Sequence, residues 1–105
     1  MKKPYQILTN INDSDFTGTW DGKEITIKNG ESKLLPKFLA DKFAEQIANQ
    51  IFNRLKKDLV SKVEMAEMKS KMIGDEIIEV EIPDKTEADL LMEEIEFANN
   101  KYLNK

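Results

Sequence analysis

The 105-residue sequence has no cysteine and no histidine. Their absence excludes disulfides, thiolate and imidazole metal sites, Cys–His and Ser–His nucleophile pairs, and a histidine pH switch. Arginine is nearly missing too, since Arg54 is the single arginine among 16 basic residues. Arginine makes the bidentate phosphate and base contacts that lysine cannot, so sequence-specific binding of nucleic acid is not expected. The 4 glycines fall in no GxxxxGK[ST] or GxGxxG string, which removes the familiar phosphate loops. No apolar run approaches the roughly 18 residues of a membrane-spanning helix, and no membrane association is expected. The start Met1-Lys2-Lys3-Pro4-Tyr5-Gln6 is basic but lacks an apolar run, so no signal peptide is expected. Neither repeats nor low-complexity linkers interrupt the chain.

What is present suits one small domain, residues 1–105. Apolar residues make up 40% and charged residues 34%, a balance that fits much exposed helix. The net charge of -4 is unevenly spread. Residues 1–73 carry 13 Lys/Arg against 10 Asp/Glu, and residues 74–105 carry 3 lysines against 10 Asp/Glu. The plain reading of the acidic third is a solvated helix. The sharper reading is a face that docks on a basic partner or mimics nucleic acid.

The pattern predicts an α+β fold with an N-terminal antiparallel β unit over 5–30, a helical part over 36–73, and an acidic strand and helix over 75–104. Tyr5–Thr9, Phe16–Trp20 and Glu24–Lys28 read as strands, with turn signals at Asp21-Gly22 and Asn29-Gly30. Residues 31–35 read as the approach to a long amphipathic helix that begins at Pro36, with Ser32 or a neighbour as its cap. Leu39, Phe43, Ile47, Ile51 and Leu55 recur every four residues, flanked by Ala40, Ala44, Ala48 and Phe52. The alanines imply close core contact first and a helix–helix interface between subunits second.

Leu59, Val63, Met65, Ala66, Met68 and Met72 keep a helical period, either continuous with the first helix or broken near Asp58–Ser61, with Gly74 as the stop. Unbroken, that helix would exceed about 50 Å and would need a partner to bury it. Ile78, Val80 and Ile82 alternate with Glu79 and Glu81 as a short acidic strand. Pro83-Asp84-Lys85-Thr86 reads as a turn, Thr86 with Asp89 as a capping box, and Ala88, Leu91, Met92, Ile95, Ala98 (or Phe97) and Tyr102 as the apolar side of a C-terminal helix. Asn99, Asn100 and Asn104 suggest that its end frays.

No constellation carries obvious chemistry. Asp13, Ser14, Asp15 and Asp21 cluster in a loop, but their spacing is not that of a calcium loop. Glu79 and Glu81 are an ordinary solvated pair on a strand. No catalytic, cofactor-binding or metal-binding residue is therefore assigned, and no cofactor is expected. The interface candidates are Phe16, Trp20, Phe38, Met65, Met68 and Met72. Phe38 lies off the main apolar stripe, as a second core contact or as an exposed anchor.

The order Thr9-Asn10, Asp15-Phe16-Thr17-Gly18, Trp20-Asp21-Gly22-Lys23, Gly30-Glu31-Ser32, Leu35-Pro36, Leu39-Ala40, Phe43-Ala44 resembles small virion-associated structural proteins of tailed bacteriophages. The similarity covers roughly residues 5–55. It implies a non-enzymatic virion protein that binds a capsid, portal or tail component and forms a homo-oligomer in the particle. Its location would be the host cytoplasm before assembly and the virion after it. The competing expectation is a small acidic binding module or inhibitor of a host nucleic-acid-handling protein.

Overall fold

A computed structural model describes residues 2–20, 22–81 and 91–103, with the backbone alone for Leu91 and Met92. Asp21, the turn at Pro83–Thr86, the Thr86–Asp89 capping box, Ile82, Ala88 and Asn104 lie outside the described residues. The fold is α+β. Its elements are β1 (Lys2–Thr9), β2 (Phe16–Trp20), β3 (Lys23–Ile27), β4 (Ser32–Pro36), α1 (Lys37–Arg54), α2 (Lys62–Met72), β5 (Ile78–Glu81) and α3 (Leu91–Ala98), which runs on into a single π turn at Asn99–Leu103.

The hairpin β2–β3 forms as the turn signal predicts, in the register Phe16↔Ile27 to Trp20↔Lys23. Gly22 takes φ 75°, the left-handed conformation that this turn needs. Phe16, Gly18, Ile25 and Ile27 point inward, while Thr17, Thr19, Glu24 and Thr26 face solvent. The hairpin leans on α1 through an edge-on contact of the Phe16 and Phe43 rings, 5.3 Å between centroids. Gly18 makes this contact possible, because a Cβ there would lie 2.6 Å from Phe43 and 2.9 Å from Phe16. Gly18→Ala should therefore cost about 1–3 kcal/mol through overpacking. Urea denaturation of the variant checks this; an unchanged midpoint would contradict it.

The expected β unit over 5–30 is corrected in one respect: β1 does not join the hairpin. It is the central strand of an antiparallel sheet ordered β4-β1-β5. The approach segment 31–35 is itself mostly strand, β4, paired from Thr9↔Ser32 to Tyr5↔Pro36. Its signal is hidden because Leu34, Leu35 and Pro36 are all buried. A strand covered on both faces shows no alternation, and a short apolar run cannot be told from a helix start. Ser32 is accordingly no helix cap; its hydroxyl lies 2.7 Å from that of Thr9. The N-cap of α1 is Pro36, with no side-chain hydrogen bond.

Helix α1 is 18 residues long and buries Leu39, Ala40, Phe43, Ala44, Ile47, Ala48, Ile51 and Phe52. The alanines thus serve core contact within one chain. Leu55, read as the last residue of the stripe, is 59% exposed instead, because the helix has ended there. The stop is a Schellman motif: Lys57 N–H donates to Phe52 O at 2.9 Å and Lys56 N–H to Asn53 O at 3.0 Å. Lys56 holds φ 59°, where glycine is the usual residue. Lys56→Gly should raise stability by about 1 kcal/mol. Thermal melts test this; a lower melting temperature would refute it.

The helical part 36–73 is therefore two helices with a break, and the helix of 50 Å does not form. Ser61 restarts the chain with a capping box, accepting from Glu64 N–H at 3.1 Å while its own N–H donates to Glu64 Oε1 at 3.4 Å. The Lys57 ammonium pairs with Glu64 and, with the Ser61 amide, holds its carboxyl below the usual glutamate range. Gly74 follows the end of α2 as expected, and its N–H donates to Ile7 O at 2.9 Å, tying the chain back to β1.

In β5 Glu79 and Glu81 are exposed and Val80 is buried, as the alternation predicts. Helix α3 and the π turn rest on β4. Two readings of this region are corrected. Asn99 is not part of a fraying end: it is buried and donates to and accepts from Leu34. The solvated acidic helix has an exception in Glu94, which is buried and paired with Lys3 at 2.9 Å.

Candidate functional site

The dispersed pattern of the sequence converges in space. Asn10, fully buried, is the hub. Its side-chain amide donates to Ile27 O at 2.9 Å and Ser14 O at 3.0 Å, and its carbonyl oxygen accepts from Asn12 N–H at 3.0 Å. Its backbone accepts from Gly30 N–H at 2.8 Å and donates to Glu31 O at 3.0 Å. Beside it Glu31 Oε1 accepts from Lys28 N–H, and Asp15 Oδ1 accepts from Asn29 N–H. Thr9-Asn10, Asp15 and Gly30-Glu31-Ser32 thus form one clasp that joins the sheet, the hairpin and the loops between them. These polar residues hold backbone together.

The loop carboxylates are engaged separately. Asp13 lies 3.4 Å from Arg54, and Asp15 binds the Asn29 amide. Among the described residues no group of three metal-capable side chains comes together.

A second polar cluster lies where Glu94 of α3 reaches Lys3 and Tyr5 of β1. Tyr5 is fully buried, and its hydroxyl has no hydrogen-bond partner among the described residues. Burial, and then the Glu94 carboxylate, push its phenol far above the ordinary value of 10.0. The folded state therefore resists ionisation that the unfolded chain undergoes. The resulting stability is complete below about pH 10 and is lost as the pH rises further. Tyr5→Phe should stabilise the protein by about 1 kcal/mol at neutral pH and flatten the alkaline loss. Chemical denaturation between neutral pH and pH 11 tests both; a less stable variant would show a role for the hydroxyl.

The interface candidates separate once they are placed. Phe16 and Met72 are core residues, 2% exposed each, and leave the surface set. Met65 and Met68 are half-buried, lying between α2 and the core. Trp20 is half-buried against Phe38, with ring centroids 5.2 Å apart and the Lys42 ammonium 4.8 Å above the indole. Phe38 is 53% exposed, so it is at once a contact for the hairpin tip and a surface aromatic.

Phe38 also borders a surface groove of about 670 Å³, lined with Lys3, Pro4, Gln6, Pro36, Lys37 and Asp41. Strand β1 supplies its floor, and the first turn of α1 supplies one wall. Asp41 is neutralised by Lys69 at 2.6 Å. Sequence reading missed Pro4 and Pro36 here, because their part depends on where β4 stops and α1 begins. It also missed Ile77, exposed beside β5, and the exposed Leu55, Leu59 and Val63 around the helix break. Those three follow the helical period in sequence, so only knowledge of the break reveals them.

The site thus offers apolar and charged surface. Among the described residues no helix is long and apolar enough to cross a membrane. No family model, curated protein or solved structure matches the chain.

Proposed function

We propose that this is a non-enzymatic structural protein of a tailed-phage particle, which binds a capsid, portal or tail component and multimerises there. The observation that supports the reading most is the clasp around Asn10. Asn10, Asp15 and Glu31 of the phage-like pattern are spent on backbone geometry, and the Phe38 groove is left as a concave surface. A particle component works through such surfaces, repeated by symmetry. The purified chain should bind one isolated capsid, portal or tail protein and leave the others unbound. Failure to bind any of them would sink this reading.

The exposed acids of β5 and α3, Glu79, Glu93 and Glu96, favour a second reading as an acidic module that covers a basic host surface. Reversing those three charges would abolish inhibition of a nucleic-acid-handling partner under that reading. Glu94 is unsuitable for such a test, since it is buried against Lys3.

A further inference from the structure

The clasp around Asn10 closes on the one Asn-Gly pair of the sequence, Asn29-Gly30. The pair fills the two middle positions of a turn that Glu31 N–H closes on Lys28 O at 2.8 Å. Gly30 has φ 77°, as the second middle residue of a type II turn requires. Asn29 is exposed, yet each of its donors is engaged. Its side-chain Nδ2 donates to Asn12 O, and its backbone N–H donates to Asp15 Oδ1 at 2.9 Å. The Gly30 N–H donates to Asn10 O at 2.8 Å, and Asn10 is fully buried. Asparagine before glycine is chemically labile, because no side chain on glycine keeps its backbone nitrogen from the neighbouring amide.

We infer that Asn29 is a deamidation site that the Asn10 clasp holds shut. In the reaction the Gly30 nitrogen gives its proton to solvent base and attacks Asn29 Cγ. The new C–N bond closes a cyclic imide, and Nδ2 leaves as ammonia. Water then opens the imide at either carbonyl, leaving aspartate or isoaspartate at position 29. The net exchange is an amide and water for a carboxylate and an ammonium ion, and nothing is oxidised or reduced. In the closed clasp the Gly30 proton is held by Asn10 O and the leaving nitrogen is anchored on Asn12 O. The reaction therefore waits for local opening of the turn. Its product is a carboxylate where an amide had donated to Asn12 O. The new charge lies beside Asp15 and Glu31, whose carboxylates already hold the Asn29 and Lys28 amides. A transient opening thus becomes a permanent loosening of the hairpin from the sheet. The inference is independent of the virion reading.

Mass spectrometry of peptides from the full chain, with isoaspartate detection, tests it after incubation at mildly alkaline pH. Asn29 should deamidate in urea, and about tenfold or more slowly in the folded chain. Asn10→Ala, confirmed as folded by circular dichroism, should lose most of that protection. If this variant does not fold, the parent in urea below its unfolding transition gives the answer. Deamidation should then rise together with hydrogen exchange at the Gly30 amide, before the α1 core exchanges. Asn29→Asp, which copies one product, should lower the urea midpoint. Equal rates in the folded and unfolded chain would overturn the inference. So would a folded Asn10→Ala variant that is as well protected as the parent, or an unchanged midpoint for Asn29→Asp.

Discussion

Replacing Asn99 with alanine should lower stability by about 3 kcal/mol, a large effect for a single polar side chain. Strand β4 is an edge strand, and the Leu34 N–H and C=O point away from β1. Asn99 answers both, accepting from Leu34 N–H at 2.8 Å and donating to Leu34 O at 2.8 Å, and also donates to Ile95 O at 2.7 Å. The side-chain amide stands in for the backbone of a missing fourth strand. Leu34 is fully buried and α3 covers the edge, so water cannot replace the amide without opening the structure. Two unpaired backbone groups would remain, at about 1–3 kcal/mol each before relaxation. Equilibrium unfolding in urea measures the loss. A change below about 1 kcal/mol would mean that the edge is not sealed by this residue.

Asn10→Ala should cost a similar amount, about 2–4 kcal/mol, by a different route. The backbone bonds of residue 10 to Gly30 and Glu31 survive the substitution, but the three side-chain bonds to Ser14, Ile27 and Asn12 do not. The loops on either side of the hairpin lose their common anchor. Hydrogen exchange should therefore accelerate first at Gly30 and Asn12, ahead of the α1 core. Uniform acceleration through α1 would instead make Asn10 part of the global core, and unchanged exchange would deny the clasp.

These two asparagines show where the sequence was legible and where it was not. The hairpin was readable because Asp21-Gly22 lies between two alternating segments, and α1 because its apolar residues recur every four positions. The break before α2 was readable only as an option near Asp58–Ser61, and the Ser61–Glu64 capping box seen in the structure decides it. Strand β4 was not, because burial on both faces erases alternation at Leu34 and Leu35. Strand order was hidden as well: nothing local says that Tyr5 pairs with Pro36 and Ile78 and not with the hairpin.

Buried polar residues were the hardest of all. Asn99 in a row of asparagines looks like a frayed end, and Glu94 looks like one more surface acid. Only the partners Leu34 and Lys3, 65 and 91 residues away, assign them to the interior. The surface followed the same logic. Phe16 and Met72 have the chemistry of interface residues, but tertiary contacts place them in the core. Phe38 was legible as an off-stripe aromatic, yet its groove depends on Pro4 and Pro36, which local pattern leaves in the basic start and at the opening of a helix.

The most direct test of the proposed virion role is the copy number of this chain in purified particles of a tailed phage that carries its coding sequence. Quantitative mass spectrometry should find it at a fixed ratio to a capsid, portal or tail protein. Its absence from intact particles, with the protein abundant in the infected cell, would contradict the structural role.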